Sequence, residues 1–396
     1  MASTPAAGDA FVRAARTYNP AMGDRLLGGL APAAFLRRHW QKRPLLVRGA
    51  LPGFRGAVSA GALAALAARA DVESRLVERR RGRWRVTEGP LPRARLRALP
   101  PRDWTLLVSG LNLQVPAAER LLRRFGFLPY ARLDDVMVSY AAPGGGVGPH
   151  YDSYDVFLLQ GPGRRIWRLA RPRSFAEVPG APLRLIEGFA AEEELLVEPG
   201  DLLYLPPGWG HDGVALDECF TYSIGFRAPR GAELGAAFLD WLHARGLPEL
   251  AYRDPGLRPA AQPARIPAPL RAHARRLLAR IRWSARDVDE FLGAYLSAPK
   301  AQVVFALPRR PLARGAFGRS LARAEVALDA RTQLLYHGTG FFVNGESLQA
   351  PARQRAALAA LADARRAAGR RLAAAGLADL IYDWYRSGYL HLEKRH

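Results

Sequence analysis

The stretch Gly144-Gly145-Gly146-Val147-Gly148-Pro149-His150-Tyr151-Asp152 runs through Ser153 into Tyr154-Asp155-Val156-Phe157-Leu158-Leu159-Gln160, then Gly161-Pro162-Gly163, then Arg164-Arg165-Ile166-Trp167-Arg168-Leu169. The first glycines and Pro149 read as a turn. The two apolar runs flanking Gly161-Pro162-Gly163 read as the strands of a hairpin. Residues two apart on a strand face one side, so His150 and Asp152 share a face. A second turn, Pro206-Pro207-Gly208-Trp209-Gly210, delivers His211 from a distant strand. Two imidazoles and one carboxylate on one side of a metal leave its other side open. That is the ligand set of non-haem Fe(II) oxygenases. Zinc with a water in its fourth position is the alternative, and a His-x-Asp pair by itself is common. The weight rests on both histidines flanking strands behind Gly/Pro turns. The hairpin returns the chain beside His150 and Asp152 and can place Arg165 inside a barrel. A guanidinium there can grip the far carboxylate of a dicarboxylate with two hydrogen bonds. Arg164 and Arg168 are expected to face solvent or surface acids, Trp167 and Trp209 to pack around the site, and Cys219 to lie in the core.

Outward from this stretch the same punctuation continues. Short apolar runs alternate with Gly/Pro turns from Thr105 to Arg227, which predicts an all-β sandwich or barrel. Upstream, a helix is expected to stop near Lys42, followed by a strand Leu45–Val47. Downstream the period changes. Leu234, Phe238, Trp241 and Leu242 mark one face of a helix. Prolines at 255, 259, 263, 267 and 269 read as a stiff connection. Leu270, Ala274, Leu277 and Ile281 mark a second helix. Ser284 and Asp287 form a capping box opening a third, with Val288, Phe291, Leu292 and Tyr295 inside. The last hundred or so residues read as a small α+β module. Thr332–Tyr336 and Phe341–Val343 are strand-like, Asn344-Gly345 is a tight turn, and helices are expected after Pro351 and around Leu377–Trp384. No internal repeat is present, which argues against a solenoid.

The chain has 396 residues, 49% of them hydrophobic, enough for a sizeable core and two or three domains. No apolar run approaches the ~18–20 residues of a membrane helix. Met1–Pro20 carries Asp9, Arg13 and Arg16 without an apolar core, so no secretory signal is expected. A single cysteine rules out an intrachain disulfide or a cysteine-rich zinc site. A reduced, cytoplasmic setting fits. The net charge is +22. Such a balance suggests an acidic partner such as nucleic acid. The scarcity of lysine (Lys42, Lys300 and Lys394) beside abundant alanine and arginine is equally what a GC-rich genome produces.

Three segments together carry a resemblance: GGGVGPHYDSYDVFLLQGPGRRIWRL, EPGDLLYLPPGWGHDG and FLRRHWQKRPLLVRGA. They resemble the JmjC-type 2-oxoglutarate oxygenases, and among them the bacterial ribosomal oxygenases, arginine 3-hydroxylases of large-subunit ribosomal protein L-sixteen. The likeness is specific over about residues 18–229 and architectural beyond. It implies a mainly β fold with α additions: a double-stranded β-helix (cupin/JmjC) barrel over 1–229, a helical dimerisation region over 230–297 and a winged-helix-like α+β domain over 298–396. It implies iron ligands at His150, Asp152 and His211, and Arg165 on the 2-oxoglutarate side-chain carboxylate, with O₂ as second cosubstrate. Tyr140, Phe157 and Ser223 fall where the substrate pocket is expected. Asp134, Asp135 and Asp155 are acids near the site, any of which could pair with a substrate guanidinium or simply serve a turn. The implied partners are a ribosomal protein substrate, nearby rRNA and a second copy of the chain. The competing readings are a JmjC hydroxylase or demethylase of another side chain, and a metal-binding cupin without oxygenase activity that docks on ribosomal or nucleic-acid surfaces.

Overall fold

Two β-sheets build the site-bearing part of the chain. A computed structural model describes residues 26–394, so the reading of Met1–Pro20 lies outside the described residues. Within them the chain divides into two compact units. One comprises residues up to 228, 300–331 and from 363 onward; the other comprises 229–299 and 332–362.

The first unit holds strands β1 Leu45–Val47, β2 Ser74–Arg80, β3 Arg83–Glu88, β4 Trp104–Val108, β5 Leu133–Ala141, β6 His150–Tyr151, β7 Val156–Gln160, β8 Arg165–Ala170, β9 Glu193–Val197, β10 Leu202–Leu205, β11 Gly210–Ala215 and β12 Cys219–Phe226. They form an eight-stranded sheet, β1-β10-β7-β12-β5-β4-β2-β3, and a four-stranded sheet, β6-β11-β8-β9. All pairings within these two sheets are antiparallel. The expected barrel is present with the expected strand Leu45–Val47 on its larger sheet, and that sheet also takes in β2 and β3, which the sequence did not mark as strands. The β2–β3 hairpin is rich in arginine, which hid its strand character. It closes through Arg81 and Gly82, both with positive φ (50° and 75°), as a two-residue hairpin turn requires. Glu78 is buried within it and held by Arg80 and Arg95.

The centre of the large sheet is buried on both faces. One face packs with the helices Pro32–Arg38, Ala60–Ala67 and Pro116–Arg123 in a core that includes Phe35, Leu63, Leu121, Phe157, Tyr204, Tyr222 and Ile224. The other face meets the small sheet, where Val156, Leu158, Leu203 and Leu205 pack against Trp167, Leu169 and Val197. This explains why β7 and β10 read as continuous apolar runs rather than alternating ones. The helix before β1 ends at Arg38, earlier than expected, and turns carry the chain to Arg43. Also in this unit, β13 Ala324–Leu328 lies between β17 Arg366–Ala368 and β18 Leu390–Lys394, beside helices Arg314–Leu321 and Ala378–Arg386.

The second unit contains helices Gly231–Ala244, Ala268–Leu278 and Ala285–Ser297 and the sheet β14 Leu334–His337, β15 Gly340–Val343, β16 Glu346–Gln349. The Ser284/Asp287 capping box is formed. Phe238, Trp241 and Phe291 pack as an aromatic cluster, with ring centroids 5.2–6.0 Å apart.

Candidate active site

The small sheet sets the histidines opposite each other: the two-residue β6 pairs with β11 so that His150 faces His211 across the ladder. Their rings lie 4.2 Å apart, centre to centre. His150 Nδ1 is 2.9 Å from the Gly148 carbonyl, and His211 Nδ1 is 2.9 Å from the Trp209 carbonyl. Each Nδ1 therefore carries the proton it donates, and each Nε2 keeps its lone pair free. His211 Nε2 lies 3.8 Å from Asp152 Oδ2, and one donor atom from each of the three residues falls within 4.8 Å of the others. Burial, and then the neighbouring His150, push the His211 pKa down to about 4 against the pull of Asp152. A neutral imidazole is the form that ligates a metal. This donor set, two Nε2 lone pairs and one carboxylate, fits a divalent iron held on one side only.

Close backbone approach makes the turns before both histidines possible. Gly144 N–H donates to the Ala215 carbonyl (2.8 Å), and Ala215 N–H donates to Gly145 O (2.9 Å), which ties the glycine loop to the end of β11. A Cβ on Gly145 would strike the Trp104 carbonyl. Gly208 N–H donates to Asp152 O at 2.7 Å and so ties the second turn to the third ligand.

Arg165 opens β8, opposite Ala215 of β11, and is 3% exposed. One guanidinium nitrogen donates to the Gly213 carbonyl at 3.0 Å, and another lies 3.6 Å from Cys219 Sγ. Its Nε is buried without a hydrogen-bond partner. The hydrogen bonds of this buried cation go to a carbonyl and a sulfur rather than to a carboxylate, and the far carboxylate of a dicarboxylate fits the donors left over. Trp167 lies between this group and the triad, its ring centre 5.6 Å from the Arg165 guanidinium carbon and 5.8 Å from the His211 ring. Gly213 makes room for it: a Cβ there would come within 2.5 Å of the indole. Arg164 and Arg168 pair outside with Asp217 and Glu194, and Cys219 is buried, as expected.

The triad and Arg165 line one cavity of about 280 Å³. Ser223, Asp134 and Asp135 line it too. Tyr140, Phe157 and Asp155 do not, and for the first two strand alternation is the reason. On β7, Val156 and Leu158 face the cavity, so Phe157 points into the core, against Phe125 and Tyr204 at 4.9 and 4.8 Å. On β5, Met137 and Ser139 face the cavity, and Tyr140 turns away to stack on Phe220 and bond Glu218. Asp155 is fully buried and accepts hydrogen bonds from Tyr204 (2.6 Å) and Gln41 (3.0 Å), with Arg132 at 3.4 Å. It is a fold-holding acid. Two residues that sequence reasoning passed over also line the cavity, Tyr154 and Lys300. Burial, and then Asp152, hold the Tyr154 phenol well above its ordinary pKa. Tyr154 lies two residues beyond Asp152, a spacing that could have marked it; Lys300 lies far away in sequence, and nothing local signals its place.

Comparison with known proteins agrees with this geometry. Residues 120–234 match a JmjC domain model, and residues 280–391 match a ROXA-like winged helix model. The chain is 36% identical over 330 residues to a protein of Escherichia coli strain K12 named ribosomal protein uL16 3-hydroxylase, covering 83% of this chain and 87% of that one. The X-ray structure of E. coli ycfD superposes with a TM-score of 0.80 at 33% identity, over 92% of this chain and 98% of that one. A second structure, YcfD as a ribosomal oxygenase with cobalt and 2-oxoglutarate, matches over the same shares with a TM-score of 0.77 and 34% identity. A one-sided His-Asp-His donor set, a buried arginine suited to a carboxylate and likeness over nearly the full chain lead to one assignment: the chain belongs to the JmjC-domain ribosomal oxygenases.

Proposed function

We propose that this chain is an Fe(II)- and 2-oxoglutarate-dependent hydroxylase that acts on an arginyl side chain of ribosomal protein uL16. The observation that carries the reading is the single cavity shared by His150, Asp152, His211, Arg165 and the acids Asp134 and Asp135. Bound iron supplies the oxidising chemistry, coupling decarboxylation of 2-oxoglutarate by O₂ to hydroxylation of an unactivated C–H bond. The protein's own part is ligation, orientation and exclusion of water. His150, Asp152 and His211 hold the metal. Arg165 binds the distal carboxylate of 2-oxoglutarate, and Trp167 keeps that guanidinium dry. Val147, Met137 and Val156 give the cavity apolar wall for an aliphatic stem. Asp134 and Asp135 offer negative charge to a guanidinium, a local field that works although the chain is +22 overall, because salt screens the exterior beyond ~8–10 Å.

The relative's name supports uL16 as the target. A setting beside rRNA and in the cytoplasm follows from such a target, and the basic exterior suits it. No described helix is long and apolar enough to cross a membrane. A two-fold homodimer through the helices of 231–297 is part of the reading, since Leu239, Leu278 and Trp283 there are exposed. The domain limits 1–229, 230–297 and 298–396 go with it.

The test is mass spectrometry of uL16 peptides incubated with the full-length protein, Fe(II), 2-oxoglutarate and O₂. The arginyl peptide should gain about 16 Da, one oxygen atom. Arginine replaced by lysine should remove most of that gain, because an ammonium cannot form the planar fork. Equal modification of the lysine peptide, or modification of histidyl peptides alone, would overturn the arginyl assignment.

A further inference from the structure

Among the three lysines of an arginine-dominated chain, Lys300 faces the active-site cavity. Its Nζ lies 3.1 Å from Asp134 Oδ1 and 3.4 Å from Asp135 Oδ2. Both acids have other partners that fix them in place. Asp135 accepts the Gly110 N–H at 2.8 Å, and Asp134 lies 3.5 Å from Arg227 Nε. The carboxylates therefore keep their positions whether or not the ammonium is present. Lys300 is part-exposed, at 33% of its side chain, so its flexible stem can swing the charge into water. The acids that an incoming cation needs are thus already covered by a cation of the protein's own.

We propose that Lys300 is a specificity-determining residue of the substrate pocket: its ammonium covers the Asp134/Asp135 pair, and a substrate side chain enters only by displacing it. The inference rests on the arginyl reading above and adds the device that selects for it. A guanidinium can displace the ammonium because it is planar, more weakly hydrated, and able to make two parallel hydrogen bonds to one carboxylate. A substrate lysine offers the same point charge that Lys300 already provides, and Lys300 is tethered at high effective concentration. A neutral side chain leaves the acid pair uncompensated if Lys300 withdraws. The pocket thereby discriminates by competition as well as by fit.

The test is the binding of ethylguanidinium, the tip of an arginine side chain, to the full-length protein, followed by ligand-observed NMR. Lys300→Met should tighten binding by about 3- to 10-fold, the loss of the two part-exposed ion pairs that compete. Lys300→Arg should weaken it, since a tethered guanidinium competes better. Ethylammonium should bind Lys300→Met and not the wild type. A misfolded variant cannot bind more tightly, so the direction of change separates the proposal from damage. Unchanged or weaker binding to Lys300→Met, or no binding to it at all, overturns the assignment. If ethylguanidinium follows the expected order while uL16 peptides are not hydroxylated, the ribosomal target falls and Lys300 stands. If the peptide is hydroxylated and Lys300→Met does not tighten binding, only the Lys300 assignment falls.

Discussion

Arg165 is a buried cation in the cavity of the metal triad, and its unpartnered nitrogen is the clearest sign of what binds there. Its Nε has no hydrogen-bond partner, and its other bonds go to a carbonyl and a sulfur. If Arg165 holds the 2-oxoglutarate side-chain carboxylate as proposed, truncation to alanine removes that charge partner. Such losses cost ~2–5 kcal/mol, so the KM for 2-oxoglutarate should rise by at least ~30-fold, with kcat at saturation much less affected. Arg165→Lys should recover part of the affinity, as a point charge without the fork. Steady-state kinetics with varied 2-oxoglutarate reads both, and an unchanged KM in the alanine variant would place the anchor elsewhere. The grouping of the triad and this arginine was legible in the sequence from the Gly/Pro turns before His150 and His211 and from the hairpin that returns Arg165, although Asp152 lies just past the end of β6 rather than on it.

At the scale of the element, one residue's parity decides between core and cavity. Phe157 and Ser223 were both read toward the substrate, but β7 and β12 turn them to opposite faces of the large sheet. Phe157 is buried among aromatic rings, and Ser223 lines the cavity. Phe157→Ala should lower stability by ~3–5 kcal/mol and leave the peptide KM of the folded fraction unchanged. Ser223→Val should raise the peptide KM and barely move the melting temperature. Thermal melts beside peptide kinetics separate the two, and the reverse pattern would refute the parity argument. The sequence could not reveal this parity, because a strand covered on both faces shows no alternation. The arginine-rich β2–β3 hairpin was hidden for a related reason: on β2 the consecutive Leu76, Val77 and ion-paired Glu78 are buried on both faces of the strand, set among arginines rather than in an apolar run.

A second element carries a pH signature. His391 on β18 bonds Asp329 at 2.8 Å, just past the end of β13. That bond raises the His391 pKa against its burial, while Asp329, despite burial, is held below the usual carboxylate range by His391 and Arg331. A raised histidine contributes stability in full below its ordinary value of ~6.5, and loses it as pH climbs through the raised value. The depressed acid contributes above ~3.9 and loses it as pH falls. His391→Asn should therefore lower the melting temperature near pH 5.5, with the difference shrinking toward about pH 8.5. A difference that grows with pH would contradict the pairing.

At the scale of the whole molecule, the helical segment that leaves Leu239 62% exposed is the place to look for a second copy. Phe238 and Trp241 pack inside their own unit, so Leu239→Glu is the cleaner probe. It should shift light scattering from dimer toward monomer with little change in melting; a monomeric wild type at micromolar concentration would reject the dimer. The charge of +22 was legible from composition, but its purpose was not, since genome bias and a polyanionic partner leave the same count. The proposed activity requires one cavity to couple 2-oxoglutarate consumption to hydroxylation of a protein side chain. Counting succinate formed against hydroxylated uL16 peptide tests it most directly. One succinate is expected for each hydroxylated peptide in the wild type, and neither product from Asp152→Ala, whose fold should survive. Full activity in Asp152→Ala, or succinate formed with no hydroxylated peptide, would contradict it.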